Sequence, residues 1–184
     1  MIYCGIDYSL TSPSVCEYNT DRGDFCFENC SFLVLSDKKT TPVFKNIKIL
    51  PHKDWTDPNE RYHNIASSFM EILGASDVIL IEDYSFGSKG KVFHIAENTE
   101  VLMYNLWLKK KKYNKIPPTA LKKWATGKGN AQKDLMYLEW RKDPKNPDLG
   151  PICGSGKKTT KIDSPISDII DSYWLTKYAF QNYK

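Results

Sequence analysis

Apolar residues in this chain fall into short continuous runs that end on acids and into longer stretches with helical spacing. Ile2, Tyr3, Cys4, Gly5 and Ile6 lead to Asp7, and Val78, Ile79, Leu80 and Ile81 lead to Glu82. Runs of this kind belong to strands covered on both faces, so each acid stands at the end of a strand. Residues 2 to 7 read as the first strand, Ser12-Pro13 as a turn, and residues 15 to 18 as the second strand. Asp21, Arg22, Gly23 and Asp24 read as a hairpin turn, so residues 25 to 35 continue as a third strand. The segment from 36 to 57 is rich in Lys, Thr and Pro; it is assigned to a connection of low regularity, including its short apolar run at residues 47 to 50.

Helical signals follow. Asp57 as N-cap, Pro58 at the first position and Glu60 three residues on predict a helix over 58–73, stopped by Gly74. The stretch 92–110 is the longest helix candidate and has two apolar faces. One holds Val92, Ile95, Ala96, Thr99, Leu102, Met103 and Leu106; the other holds Phe93, Val101, Tyr104 and Leu108. The second stripe is either a dimer surface or the seat of a covering loop such as 36–57. Residues 113 to 116 form a short strand broken by Pro117-Pro118. Thr119 caps a short helix through Trp124, and Thr126, Gly127, Lys128 and Gly129 make a loop before a helix over 130–141. Residues 143 to 164 carry little that is apolar and read as a flexible surface loop. Ser164-Pro165 starts the last helix, with an inner stripe of Ile166, Ile169, Ile170, Tyr173 and Phe180. This order predicts an α/β chain with one mixed five-stranded sheet, an antiparallel meander followed by parallel strands, flanked by helices.

Length and composition keep the functional classes narrow. At 184 residues the chain suits one domain spanning 1–184. Its apolar stretches are short of the roughly 20 residues a bilayer span needs, and residues 1 to 5 lack the charged start and apolar core of a signal peptide. The expectation is a soluble cytosolic protein with no membrane partner. Five cysteines, at 4, 16, 26, 30 and 153, include no CxxC pair and read as reduced thiols; Cys26 and Cys30 lack a matching Cys/His pair for zinc. The net charge of +4 is unevenly spread, with lysines at 109–112, 122–123, 128, 133, 157–158 and 161. Singly, each cluster reads as a solvated face; together, beside an acidic centre, they suit a protein that neutralises phosphates.

Buried acids are costly unless something cationic meets them. Asp168 and Asp171, three apart, share one helix face rotated away from the isoleucine stripe. With Asp7 and Glu82 they form an acidic set suited to Mg²⁺, which takes oxygen ligands from a few carboxylates and from substrate phosphates. That points to phosphoryl-transfer chemistry on nucleic acid.

Motif order carries a resemblance. The segment from Gly5 through Asp7 to Thr11 resembles the first strand and acid of RuvC-type Holliday-junction resolvases, and the segment from Ile79 through Glu82 to Phe86 is similar to their second acidic motif. Residues 118 to 133, with Lys122, Lys123, Gly127, Lys128, Gly129 and Lys133, resemble their Lys/Gly-rich motif, and Asp168, Ile169, Ile170 and Asp171 complete the set. The segments around 38–55 and 143–164 look longer than in the compact bacterial enzymes and closer to phage-type relatives.

The resemblance implies an RNase H-like fold, a homodimer, and hydrolysis of DNA phosphodiesters with two Mg²⁺ ions per site, Mn²⁺ substituting. Asp7 would be the ligand shared by both ions, with Glu82 and the Asp168/Asp171 pair completing the sites. Lys133 would either stabilise charge at the scissile phosphate or only position it. Lys122, Lys123 and Lys128 would hold the DNA backbone, with Gly127 and Gly129 letting the chain pass close. Either Tyr84 or Phe86 would stack on a base. The implied substrate is a four-way junction, met in recombination and repair in the cytoplasm of a bacterium or phage-infected host. Flaps, forks or other branched DNA are the alternative substrates, and a non-cleaving branched-DNA-binding protein is the alternative of another class.

Overall fold

The computed structural model describes residues 1–38, 44–83, 92–150 and 162–183. Its elements run β1 (Ile2–Asp7), β2 (Ser14–Asn19), β3 (Cys30–Leu35), β4 (Ile47–Leu50), α1 (Pro58–Leu73), β5 (Val78–Glu82), α2 (Val92–Leu108), β6 (Asn114–Ile116), α3 (Pro118–Thr126), α4 (Lys133–Arg141) and α5 (Ile166–Asn182). They build one mixed sheet in the order β4-β3-β2-β1-β5-β6. β1, β2 and β3 pair antiparallel; β5 lies parallel to β1, and β6 parallel to β5. This is the predicted α/β arrangement, a meander followed by parallel strands.

The sheet has six strands rather than the expected five. Residues 47 to 50, assigned to an irregular connection, pair parallel with β3 from Phe32↔Ile47 to Leu35↔Leu50. Four residues are too few for alternation to declare a strand, and this edge strand forms because β3 offers it an unpaired rim. The third strand is also shorter than predicted. Instead of a hairpin at Gly23, the chain makes 3₁₀ turns over Thr20–Arg22 and Phe27–Asn29 before β3 begins at Cys30. The detour turns Phe25 and Phe27 into an aromatic cluster, Phe25 against Tyr18 and Phe180 and Phe27 against Trp140. Cys26 is therefore buried outside any strand. Cys4, Cys16, Cys26 and Cys30 are all buried free thiols, and Cys153 lies outside the described residues.

Side-chain alternation divides the core between the two sheet faces. Cys4, Ile6, Val15, Leu33, Ile79 and Ile81 pack with Ile65, Phe69 and Leu73 of α1 and with Leu102 and Leu106 of α2. Tyr3, Cys16, Phe32, Val78 and Leu80 pack on the opposite face with Leu121 of α3, Met136 and Trp140 of α4, and Ile169, Tyr173 and Leu175 of α5. Gly5 lies on that second face. An added Cβ there would stand 2.6 Å from Leu175 Cβ and closer still to the Thr176 backbone nitrogen, so its missing side chain lets α5 cross directly over β1.

Helix boundaries follow local chemistry. Asp57 Oδ1 accepts the N–H groups of Asn59 and Glu60, at 2.8 and 3.1 Å, and Pro58 opens α1, as predicted. Thr119, in contrast, is no cap: α3 begins one residue earlier on Pro118, after an extended Pro117. Gly127 at φ +78° ends α3 in the left-handed region that favours glycine. The helix predicted over 130–141 starts only at Lys133. α5 is buried on nearly every side at its N-terminal half, far beyond its isoleucine stripe, because it fills the centre of one sheet face.

Candidate active site

The same alternation that sorts the core also gathers the acids. Tyr3, Gly5 and Asp7 point to one face of β1, and Val78, Leu80 and Glu82 point to the same face of β5. Ile6 pairs with Ile81 in parallel register, so Asp7 and Glu82 end adjacent strands side by side. α5 crosses that face and brings Asp168, in its first turn, and Asp171 to the same end of the sheet. Strand ends and a helix end thus supply one group of acids, the position at which ligands are commonly held in open α/β sheets.

The electrostatics register this crowding. Burial, then the charges of Glu82, Asp171 and Asp168, raise the Asp7 carboxyl well above the usual carboxylate range, against the opposing pull of Lys133. Burial, then Asp171, push Glu82 up to about 7, with Lys122 opposing. Burial, then Asp168, push Asp171 up to about 7, with Lys133 and Lys122 opposing. Carboxylates raised by one another need a cation to ionise together at neutral pH. Their all-oxygen chemistry fits a hard divalent ion such as Mg²⁺. Among the described residues, no three His, Cys, Asp or Glu side chains are gathered tightly enough to form a ready-made metal cage.

Asp168 has partners of its own. It is only 6% exposed, and the Ser12 hydroxyl donates to its Oδ2 and the Ser167 hydroxyl to its Oδ1. Ser14 Oγ donates to the Asp168 carbonyl at 2.6 Å, which ties the β1–β2 turn to the start of α5. No local pattern in the sequence marks these serines. Ser12 registered only as half of a turn signal, and its contact spans 156 residues.

Of the predicted basic residues, Lys133 and Lys122 reach the acids. Lys133 opens α4 and its ammonium donates to Ser167 Oγ at 3.0 Å. Lys122 lines the cleft beside Glu82. Lys123 and Lys128 are exposed, and Gly127 and Gly129 sit in the turn after α3, where a Cβ at Gly129 would press on the Thr119 carbonyl at 3.2 Å. The lysines at 109–112 are not beside the acidic centre. Lys111 donates to the Ser76 carbonyl at 2.9 Å, before the start of β5, which puts this cluster roughly 13 Å of strand away from Glu82 at a rise of about 3.3 Å per residue. Tyr84 and Phe86 lie outside the described residues, as do residues 151–161 of the 143–164 loop, with the lysines at 157, 158 and 161.

A cleft of about 660 Å³ opens from Asp7 and Glu82. Its walls come from the turn after β1, from Trp55, Arg61 and Tyr62 at the start of α1, from His94 and Thr99 of α2, and from Lys122. Trp55, Arg61 and Tyr62 carried no functional signal in the sequence beyond the capping pattern around them.

α2 has one face on the sheet and one outside. Phe93, Tyr104, Trp107 and Leu108 are exposed, with the Tyr104 and Trp107 rings stacked at 5.8 Å. Val101, expected in the outer stripe, instead packs against the core. Trp107 takes its place, because 3.6 residues per turn carries the outer face through 93, 97, 100, 104 and 107. No described helix is long and apolar enough to cross a membrane.

No protein-family model matches the sequence, and no curated protein matches it either. Solved structures do match the fold. A Thermus thermophilus RuvC structure aligns with a TM-score of 0.60 at 14% identity, over 98% of this chain and 96% of that one. T. thermophilus RuvC in complex with a Holliday junction substrate aligns at 0.56 and 13%, over 99% and 96% of the two chains. The yeast mitochondrial Holliday junction resolvase Ydc2 aligns at 0.52 and 11%, over 97% and 80%. The chain therefore has the RNase H-like fold of these proteins.

Proposed function

We propose that this chain is a single-domain, metal-dependent DNA endonuclease that resolves four-way junctions by paired phosphodiester hydrolysis. The observation that carries the reading is the group of four acids at one end of the sheet, of which Asp7, Glu82 and Asp171 are raised by burial and by their acidic neighbours, with Lys133 and Lys122 opposing. Such a group is expensive to bury and is useful where cations and phosphates meet. The likeness of the whole chain to a RuvC seen with a Holliday junction favours branched DNA as the substrate.

In this reading Asp7 would be shared between two Mg²⁺ sites, which Glu82 and the Asp168/Asp171 pair would complete, with Mn²⁺ able to substitute. The two ions would supply activation of the attacking water and neutralise charge at the leaving oxygen. Ser12 and Ser167 orient the Asp168 carboxylate, so one acid keeps its direction before substrate arrives. Lys133 offers its ammonium to charge developing on the scissile phosphate, and Lys122 holds the strand at the mouth of the cleft. Lys123 and Lys128, exposed beside the Gly127/Gly129 turn, follow the DNA backbone further out. The outer face of α2 makes a homodimer, whose two sites would nick opposed strands of a junction with two-fold symmetry.

The test is cleavage of a four-way junction, a flap, a fork and plain duplex with Mg²⁺, with the cuts mapped. The parent protein should cut the junction in symmetrically placed strands. Asp7→Asn should bind the junction and leave it intact; full cutting by that variant would end the assignment.

A further inference from the structure

The cleft beside the acids is larger than a scissile phosphate requires, and its far wall is aromatic. Trp55, in the segment before α1, is 46% exposed, and its ring is open to the cleft. Its ring is not loosely placed. The Arg61 guanidinium lies 5.1 Å from the ring centroid and donates to the Leu10 carbonyl at 2.7 Å, so the stack is anchored to the turn that follows β1 and Asp7. The backbone around it is held as well. His52 bonds through its ring to the Thr11 carbonyl at 3.1 Å, and Asn64 Nδ2 donates to the Asp54 carbonyl at 3.1 Å. Asp57 then caps α1 two residues later.

An exposed indole, backed by a planar cation and opening into a cleft that contains Asp7, Glu82 and Lys122, is suited to one kind of ligand. The acid end of the cleft suits a phosphate bridged by cations, and the apolar end suits a flat ring. Trp140 and Trp174, in contrast, are packed inside the core. We infer that Trp55 and Arg61 form a stacking site for one unstacked nucleobase of the DNA strand being cut, next to the phosphate held at Asp7 and Glu82. This rests on the nuclease reading and adds to it the part of the substrate that the cleft takes. A base paired inside a duplex cannot reach such a ring without leaving its stack. The site therefore favours DNA opened at a branch point, and it contributes to selection of branched over plain duplex substrate.

The test uses four-way junctions carrying 2-aminopurine at successive positions on either side of the mapped cut, bound to full-length protein with the inactivating Asp7→Asn change. At one position the emission should be quenched by stacking on Trp55, and it should brighten when Trp55→Ala is added. In the otherwise unchanged protein, Trp55→Ala should weaken binding and cutting of the junction by about 5- to 150-fold, the equivalent of about 1–3 kcal/mol of base–aromatic stacking, with Trp55→Phe within about threefold of the parent. Trp55→Leu keeps the apolar bulk without the aromatic face and should lose as much as Ala, which separates stacking from a folding defect. Junction cutting that is equal in the parent, Ala and Leu proteins, or emission unaffected by Trp55→Ala at every position, overturns the base site and leaves the nuclease reading standing. A parent protein that neither binds nor cuts any branched DNA overturns both.

Discussion

Asp171→Asn should make the metal-free protein more stable above neutral pH while removing a carboxylate that the proposed chemistry requires. Asn keeps the shape of the carboxyl and carries no charge. Burial, then the neighbouring Asp168, move the Asp171 carboxyl from an ordinary 3.8 to about 7. A carboxyl whose folded value lies above its unfolded one binds its proton more tightly when folded. Its stabilising contribution is fully present below about pH 4 and is lost as the pH rises through about 7. The gap of about three pH units corresponds to about 4 kcal/mol at about 1.4 kcal/mol per unit, a ceiling for this residue. Water still reaches the half-buried carboxylate, and Asp7 and Glu82 share the repulsion, so a net gain of about 1–3 kcal/mol is expected for the variant at about pH 8. Urea unfolding in EDTA measures it. Parent and variant should be equally stable below about pH 4, and the parent should then decline more steeply with pH up to about 7. Added Mg²⁺ should restore the parent at the higher pH and raise the variant less, because ligand binding stabilises the state that holds it. A variant no more stable than the parent at about pH 8 in EDTA would refute the reasoning, as would a parent whose stability climbs across the window.

Two further changes probe the scaffold. Gly5→Ala places a methyl against Leu175 Cβ and the α5 backbone. Because a helix backbone cannot rotate away as a side chain can, the loss should reach or exceed the roughly 1–3 kcal/mol usual for overpacking. A lowered urea midpoint checks this, and an unchanged one would mean that α5 does not lie flush on β1. Replacing Tyr104 and Trp107, the latter 68% exposed, by glutamate should convert a dimer to a monomer in sedimentation and remove the concentration dependence of the melting temperature. A dimer that survives both changes would remove the outer face of α2 from the proposed interface.

Much of the acid site was legible along the chain because its main elements are local. Asp7 and Glu82 announce themselves by ending apolar runs, whereas their common face comes from the parallel register of β1 and β5. Asp57, Pro58 and Glu60 declare the start of α1 through bonds made within four residues. Asp168 and Asp171 share a face through helical spacing alone. Trp107 shows how narrow the margin is: the apolar pattern of α2 predicts an outer stripe, but the place it gives to Val101 belongs to Trp107.

Other features needed the fold. β4 exists because β3 has a free rim, which its four residues cannot state. The lysines at 109–112 resemble the other basic clusters in composition, yet Lys111 is bound at the opposite end of β5. Ser12 meets Asp168, and Arg61 meets both Leu10 and Trp55, across sequence gaps that no periodicity spans. Local pattern is enough to say which acids end strands and that Asp168 and Asp171 share a helix face, since strand runs and helix geometry act between near neighbours. The crossing of α5 over β1 at Gly5, which brings the two halves of the acid group together, and the tryptophan across the cleft from them come from the assembled fold. Those outcomes depend on packing between elements distant in the chain, where the energy comes from buried surface and close approach.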